Sequence, residues 1–184
     1  MRTDSGVRFG GAGPGAGAVR GWRLIRVTAE DGGDAVELAF EYMAVTQAET
    51  GQPVPAGIGD LPGVLQRECR DLQSVYRPPG VFLIAYRDDV PVGCVGLAAG
   101  TQAGTAEVKR LYVRPAHRRL GIARTLMSRV HQHAARSGMS RLILDVLPAR
   151  TEAIGFYRDL GYRDYDCVVA GSPVPMICME RPVS

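Results

Sequence analysis

The stretch most able to do chemistry is Arg118-Arg119-Leu120-Gly121-Ile122-Ala123, set between a strand-like run and an amphipathic helical run. A helix N-terminus leaves about four backbone N–H groups unpaired and carries a partial positive charge. A phosphate or diphosphate satisfies both. Gly121 removes the Cβ that would hold a ligand off the backbone, and Ala123 keeps the next turn small. Arg118 and Arg119 add charge at the same spot, and Arg124 contributes the next amide. The chemistry expected here is capture of a diphosphate by main-chain donors. The pattern is neither GxxxxGK nor GxGxxG, so it implies no P-loop and no dinucleotide fingerprint. Its bland counterpart is a plain helix start with two solvated arginines.

Other reactive residue types form no comparable pattern. Cys69, Cys94, Cys167 and Cys178 are scattered, with no CxxC and no histidine at zinc-ligand spacing. No structural metal and no disulfide framework are expected, but free thiols in a reducing compartment. His131 and His133 stand two apart on a helix and do not share a face. His117 reads as a solvated loop residue. The acids Glu41, Glu49, Glu68 and Asp71 lie in or beside a helical insertion, where most acids are simply solvated.

The elements that must position the 118–123 stretch follow from periodicity. Trp22–Thr28 reads as a strand. Asp34 offers an N-cap and Glu37 completes a capping box for a helix over Ala35–Thr50, with Val36, Phe40, Met43 and Ala44 as its stripe. A second helix is expected from Asp60 and Pro62 through Val75, with Val64, Leu65, Cys69 and Leu72 on its apolar side. Three closely spaced strands follow: Val81–Arg87, Val90–Ala99 and Thr105–Val113, a meander by their short connections. Gly121–Ser137 is helical, with Ile122, Leu126, Val130 and Ala134 on one stripe and Gly138 as its stop. Then come a strand (Arg141–Val146), a short helix (Thr151–Leu160) and two last strands (Tyr162–Val169 and Pro175–Arg181). The fold class is α/β: a mixed, mostly antiparallel sheet of about seven strands with helices on both faces.

The chain has 184 residues, enough for one domain with a real core. Residues 1–21 are Gly/Ala-rich and aperiodic, so a disordered tail is expected there and a single domain over 22–184. The net charge is +3, and the first 23 residues carry all of it, as four arginines against one aspartate. The folded part is neutral, which weakens a nucleic-acid partner; a tail acting as a nucleic-acid arm remains a minor reading. No apolar run approaches the ~18 residues of a membrane span, and the N-terminus lacks an apolar signal core. The default is a soluble, cytoplasmic protein with no membrane partner.

Three segments together carry a family resemblance: AEVKRLYVRPAHRRLGIARTLM (106–127), LILDVLPARTEAIGFYRDLGY (142–162) and the PPGVFLIAYRDDVPVGCVGL hairpin (78–97). With them the chain resembles the GNAT superfamily of N-acetyltransferases. The first ends in that family's Q/R-x-x-G-x-G/A signature for acetyl-coenzyme A. The resemblance implies acetyl transfer from acetyl-CoA, as co-substrate, to a primary amine by direct attack in a ternary complex. It implies that residues 118–124 hold the diphosphate. The strand edge Leu111-Tyr112-Val113 would pair the pantetheine arm, and the strands Thr105–Val113 and Arg141–Val146 would splay to admit it. By the same resemblance Tyr157 is the general acid for the departing thiolate, and Glu107 is the base, directly or through water. Glu107 shares a nominal face with Leu111 and Val113, although a bulge in this strand would break that alternation. The counter-readings are a core tyrosine and a partner for Lys109. One departure stands out: Arg150 occupies the place of an asparagine that usually contacts the cofactor arm. A second functional class, a non-catalytic acyl-CoA sensor or scaffold, fits the same motifs. The acceptor is a small-molecule or peptide amine, and a homodimer is left open.

Overall fold

The structure, a computed structural model, describes residues 22–27, 32–169, 172 and 174–183. The tail expected over 1–21 lies outside them. Seven strands form one sheet in the order β1-β2-β3-β4-β5-β7-β6. They are β1 (Trp22–Arg26), β2 (Val81–Arg87), β3 (Val90–Ala99), β4 (Thr105–Val113), β5 (Arg141–Val146), β6 (Arg163–Asp164) and β7 (Ile177–Pro182). Every neighbouring pair is antiparallel except β4 and β5. That parallel pair is the one joined by a long crossover helix, as chain reversal requires.

The crossover helix is α4 (Ile122–Arg136). Its Ile122, Leu126, Met127, Val130 and Ala134 are buried against Val95, Leu97, Ala106 and Val108 of the sheet. Full burial of one such leucine or valine contributes roughly 1.5–3 kcal/mol. Helix α5 (Thr151–Asp159) adds Ile154 and Tyr157 to the same cluster. The opposite face of the sheet is covered by α1 (Gly32–Glu49), α2 (Gly63–Arg70) and α3 (Leu72–Val75). There Leu38, Ala39 and Leu72 meet Phe82, Ile84, Cys94 and Tyr112.

Several local expectations are corrected. Helix α1 begins at Gly32, so Asp34 lies inside its first turn; its carboxylate accepts a hydrogen bond from the Tyr86 hydroxyl at 2.6 Å. The buried stripe of α1 is Ala35, Leu38, Ala39 and Met43, because the alanines let the helix sit close to the sheet. The single helix expected up to Val75 is broken at Asp71, whose carboxylate accepts from the Ser74 amide and starts α3. Val64 is exposed as a result. The strand expected over Tyr162–Val169 shrinks to Arg163–Asp164. The four free thiols reduce to two: Cys69 and Cys94 are free and buried, whereas Cys167 and Cys178 form a disulfide with Cα atoms 6.1 Å apart. Only the return of β7 alongside the chain after β6 brings those two together. Among the described residues no helix is long and apolar enough to cross a membrane, and no cluster of metal-ligating side chains occurs.

Candidate active site

The site is a gap between β4 and β5. Their parallel pairing runs only through Thr105–Arg141, Ala106–Leu142 and Glu107–Ile143, then stops. Beyond it, Leu111–Val113 keep one edge on β3 and leave the β5-facing edge without a strand partner. An extended ligand can pair with such an edge as an added strand.

A bulge turns the residues of β4. Arg110 has φ +57°, and the register against β3 shifts between Cys94 and Gly96. Before the bulge, Ala106 and Val108 face α4. Glu107 and Lys109 therefore face the α1 side. Beyond it, Leu111 and Val113 pack toward α4 while Tyr112 joins the α1 side. This corrects the nominal face: Glu107 is on the opposite side of the sheet from Leu111 and Val113. The extra residue at the bulge inverts the alternation.

The bulge is held from both sides. The Arg110 guanidinium donates to both oxygens of Glu68 at 2.8 and 2.7 Å, and the Tyr76 hydroxyl donates to Glu68 at 2.7 Å. Burial pushes the Glu68 carboxyl up, but Arg110 and then Tyr76 more than offset it and its pKa lies below the ordinary value. The Cys94 thiol donates to the Arg110 carbonyl at 3.3 Å. Burial pushes that thiol far up, so it is no nucleophile. Gly96 is required beneath this network, since a Cβ there would lie 2.2 Å from the Tyr76 ring.

At the other end of the gap, α4 begins as expected. Gly121 caps it in the left-handed conformation (φ +77°), with no side chain capping the first turn. A Cβ at Gly121 would meet nothing within 4 Å, so the space over the first amides is open. Arg118 and Arg119 are exposed beside it. Arg118 donates to the Val113 carbonyl at 3.1 Å, and Arg119 reaches Glu152 of α5 at 2.9 Å. The Arg124 guanidinium lies over the Phe156 ring at 5.7 Å. His117, expected to be solvated, has its Nδ1 buried and without a hydrogen-bond partner among the described residues.

Tyr157 is 8% exposed and packs edge-on to Tyr162. Its hydroxyl makes no hydrogen bond among the described residues. Burial raises its pKa well above the ordinary value, with Tyr42, Arg150 and Asp145 among the groups that act on it. The phenol therefore stays protonated at working pH. Glu107 accepts from Lys109 Nζ at 2.6 Å, which is the ion-pair reading of that residue.

Arg150 neither reaches toward the phosphate end nor faces water. It donates to Glu49 at 2.6 Å, to the Tyr42 hydroxyl at 3.1 Å and to Thr46 at 2.6 Å, tying the start of α5 to α1. Tyr42 is thereby held between two guanidinium groups, Arg150 at 5.0 Å and Arg110 at 5.5 Å from its ring. The acids of the helical insertion are likewise engaged. Glu41 and Glu37 bind Arg114, Glu49 binds Arg150 and Glu68 binds Arg110. Asp145 of β5 was not legible as a site residue. The one available signal is a charge inside an otherwise apolar run, RLILDV. It stands past the end of the β4–β5 ladder, in reach of the charges of Lys109 and Glu107, and burial raises its pKa.

Comparison with known proteins agrees with this geometry. Residues 49–162 match the Acetyltransferase (GNAT) family. An IAA acetyltransferase of Azospirillum brasilense is 34% identical over 127 residues, covering 68% of this chain and 83% of that protein. A GNAT-family acetyltransferase of Staphylococcus aureus Mu50 superposes with a TM-score of 0.70 at 16% identity, over 89% of this chain and 99% of the other. A PaiA N-acetyltransferase of Thermoplasma acidophilum, solved in complex with coenzyme A, gives 0.63 at 21% identity over 88% and 98%. The chain belongs to the GNAT family and is an acyltransferase.

Proposed function

We propose that this protein transfers the acetyl group of acetyl-CoA to a primary amine by direct attack in a ternary complex. The observation that carries the reading is the early end of β4–β5 pairing, with an uncapped α4 N-terminus opening beside it. The residues fit the ligand. The amides of Ile122, Ala123 and Arg124, with Leu120 and Gly121 leading in, accept a diphosphate, and Arg118 and Arg119 supply charge. The free edge of Leu111, Tyr112 and Val113 pairs the amides of the pantetheine arm. Acetyl-CoA supplies an activated thioester carbonyl.

The amine nitrogen bonds to the acetyl carbon as the carbon–sulfur bond breaks, one proton leaves nitrogen and one reaches sulfur. Glu107 takes the nitrogen proton, directly or through water, once Lys109 yields one of its oxygens. Tyr157 donates to the departing sulfur, and its burial keeps that proton available. The test is turnover followed by thiol release. Tyr157→Phe is expected to lower kcat while acetyl-CoA affinity stays within about twofold, since the ring packing is kept. Glu107→Gln is expected to lower kcat while acetyl-CoA affinity is kept. Unchanged kcat in Tyr157→Phe removes that residue from the mechanism.

A further inference from the structure

The α1-facing side of the sheet extends beyond α1 onto β4, β5 and β7, and there it carries an uneven set of charges. On β5, Leu142, Leu144 and Val146 point into the α4 cluster, so Arg141, Ile143 and Asp145 point the other way. On β7, Met179 packs toward α4 and Arg181 bonds His131 of α4, so Cys178 and Glu180 share the side of Asp145. Glu107 and Lys109 of β4 complete this floor.

Each cation of this floor already has a carboxylate. Lys109 pairs with Glu107 at 2.6 Å, and Arg141 with Glu180 at 2.5 Å. On the wall, Arg110 pairs with Glu68, Arg150 with Glu49 and Arg114 with Glu41. Asp145 is the acid left over. It forms no hydrogen bond or ion pair with any described residue, although it is partly buried and sits where the β4–β5 ladder has opened. A half-buried carboxylate without a partner is costly, and an arriving cation relieves that cost.

We propose that Asp145 binds the ammonium of the acceptor, which gives up one proton to water before the neutral nitrogen attacks, and that the site selects amines lacking a carboxylate next to the amino group. An α-carboxylate would enter a floor whose net charge is already negative and whose described cations are all engaged. Repulsion by Asp145 and the lack of a free cation on the described floor both disfavour it. The substrate class is thus a cationic amine, such as a decarboxylated amino acid or a polyamine. This inference rests on the acetyl-transfer reading above.

The experiment compares matched pairs that differ only in the carboxylate and have a single amine: tyramine against tyrosine, tryptamine against tryptophan, and phenethylamine against phenylalanine. Initial rates are read as thiol release from acetyl-CoA. The wild type is expected to favour the decarboxylated member by about tenfold or more in kcat/KM. Asp145→Asn is expected to raise acceptor KM by a similar factor, leave acetyl-CoA KM within about twofold and collapse the preference. Asp145→Glu restores part of it, which separates a charge effect from a folding defect. Equal or better use of the carboxylated partners, or an acceptor KM unmoved by Asp145→Asn, overturns the inference and leaves acetyl transfer standing. Absence of thermal stabilisation by acetyl-CoA, together with no turnover on any amine, overturns the transferase reading and this inference with it.

Discussion

At the α4 end of the gap the polar groups are main-chain amides, an open glycine cap and two exposed arginines. At the α1 end they are side-chain ion pairs drawn from α1, α2, β4, β5, α5 and β7, with one carboxylate unmatched. The first end is local: residues 118–124 carry nearly everything it needs. The second is a network whose partners lie 42 residues apart for Arg110 and Glu68 and 101 for Arg150 and Glu49. In the proposed reading the two halves of the transfer site are under separate control, the cofactor end resting on backbone geometry and the acceptor end on tertiary charge matching. Tyr157 stands at their junction.

Substitutions at each end can break or sharpen that division. The largest effect is expected where the two ends meet: Tyr157→Phe should reduce kcat by roughly 10²-fold or more, the usual worth of a positioned proton donor. On the acceptor side, Arg110→Ala strands the buried Glu68 carboxylate and should cost about 3–5 kcal/mol in stability, read by denaturant unfolding. Activity loss without lowered stability would mean that the bulge needs no such pin. On the cofactor side, Gly121→Val should weaken acetyl-CoA binding at a stability cost of only about 1–2 kcal/mol, because φ +77° disfavours a β-branched residue. Titration calorimetry with CoA checks it. If instead acceptor KM moves and CoA affinity holds, the two ends are not separate.

A smaller effect concerns pH. Arg181 donates to His131 Nδ1 at 2.8 Å, and an arginine can only donate, so Nδ1 holds the lone pair and Nε2–H points to the Tyr162 hydroxyl at 3.1 Å. Burial, then the charge of Arg181, lowers the pKa of His131 from 6.5 to about 4. Between those values the unfolded chain binds a proton that the folded one does not, so stability is full above pH 6.5 and falls as pH drops toward 4. His131→Gln should flatten that part of the melting profile. The smallest effect is expected at the exposed Arg119–Glu152 pair, where Glu152→Ala should change stability by less than about 0.5 kcal/mol.

The strands β2 to β5 and helix α4 were legible because their periodicity and their glycine and proline stops are local. Errors arose where a long-range contact overruled a local pattern. Asp34 left its capping role for Tyr86, Asp71 broke a helix to cap the next, and Arg150 turned toward α1. The bulge at Arg110 moved Glu107 to the opposite side from Leu111 and Val113, since one inserted residue reverses a period of two. The Cys167–Cys178 pairing needed β7 to return before the two thiols could meet.

By itself the sequence determined the α/β class, the crossover from β4 through α4 to β5, and the open helix start at Gly121, all of which follow from periodicity and backbone freedom within about a dozen residues. Only the tertiary structure decided which acids of the gap are engaged and that Asp145 has no partner among the described residues. A carboxylate's partner depends on what the fold brings within about 3 Å of it, and residues a hundred positions apart in the chain carry no record of that in their spacing.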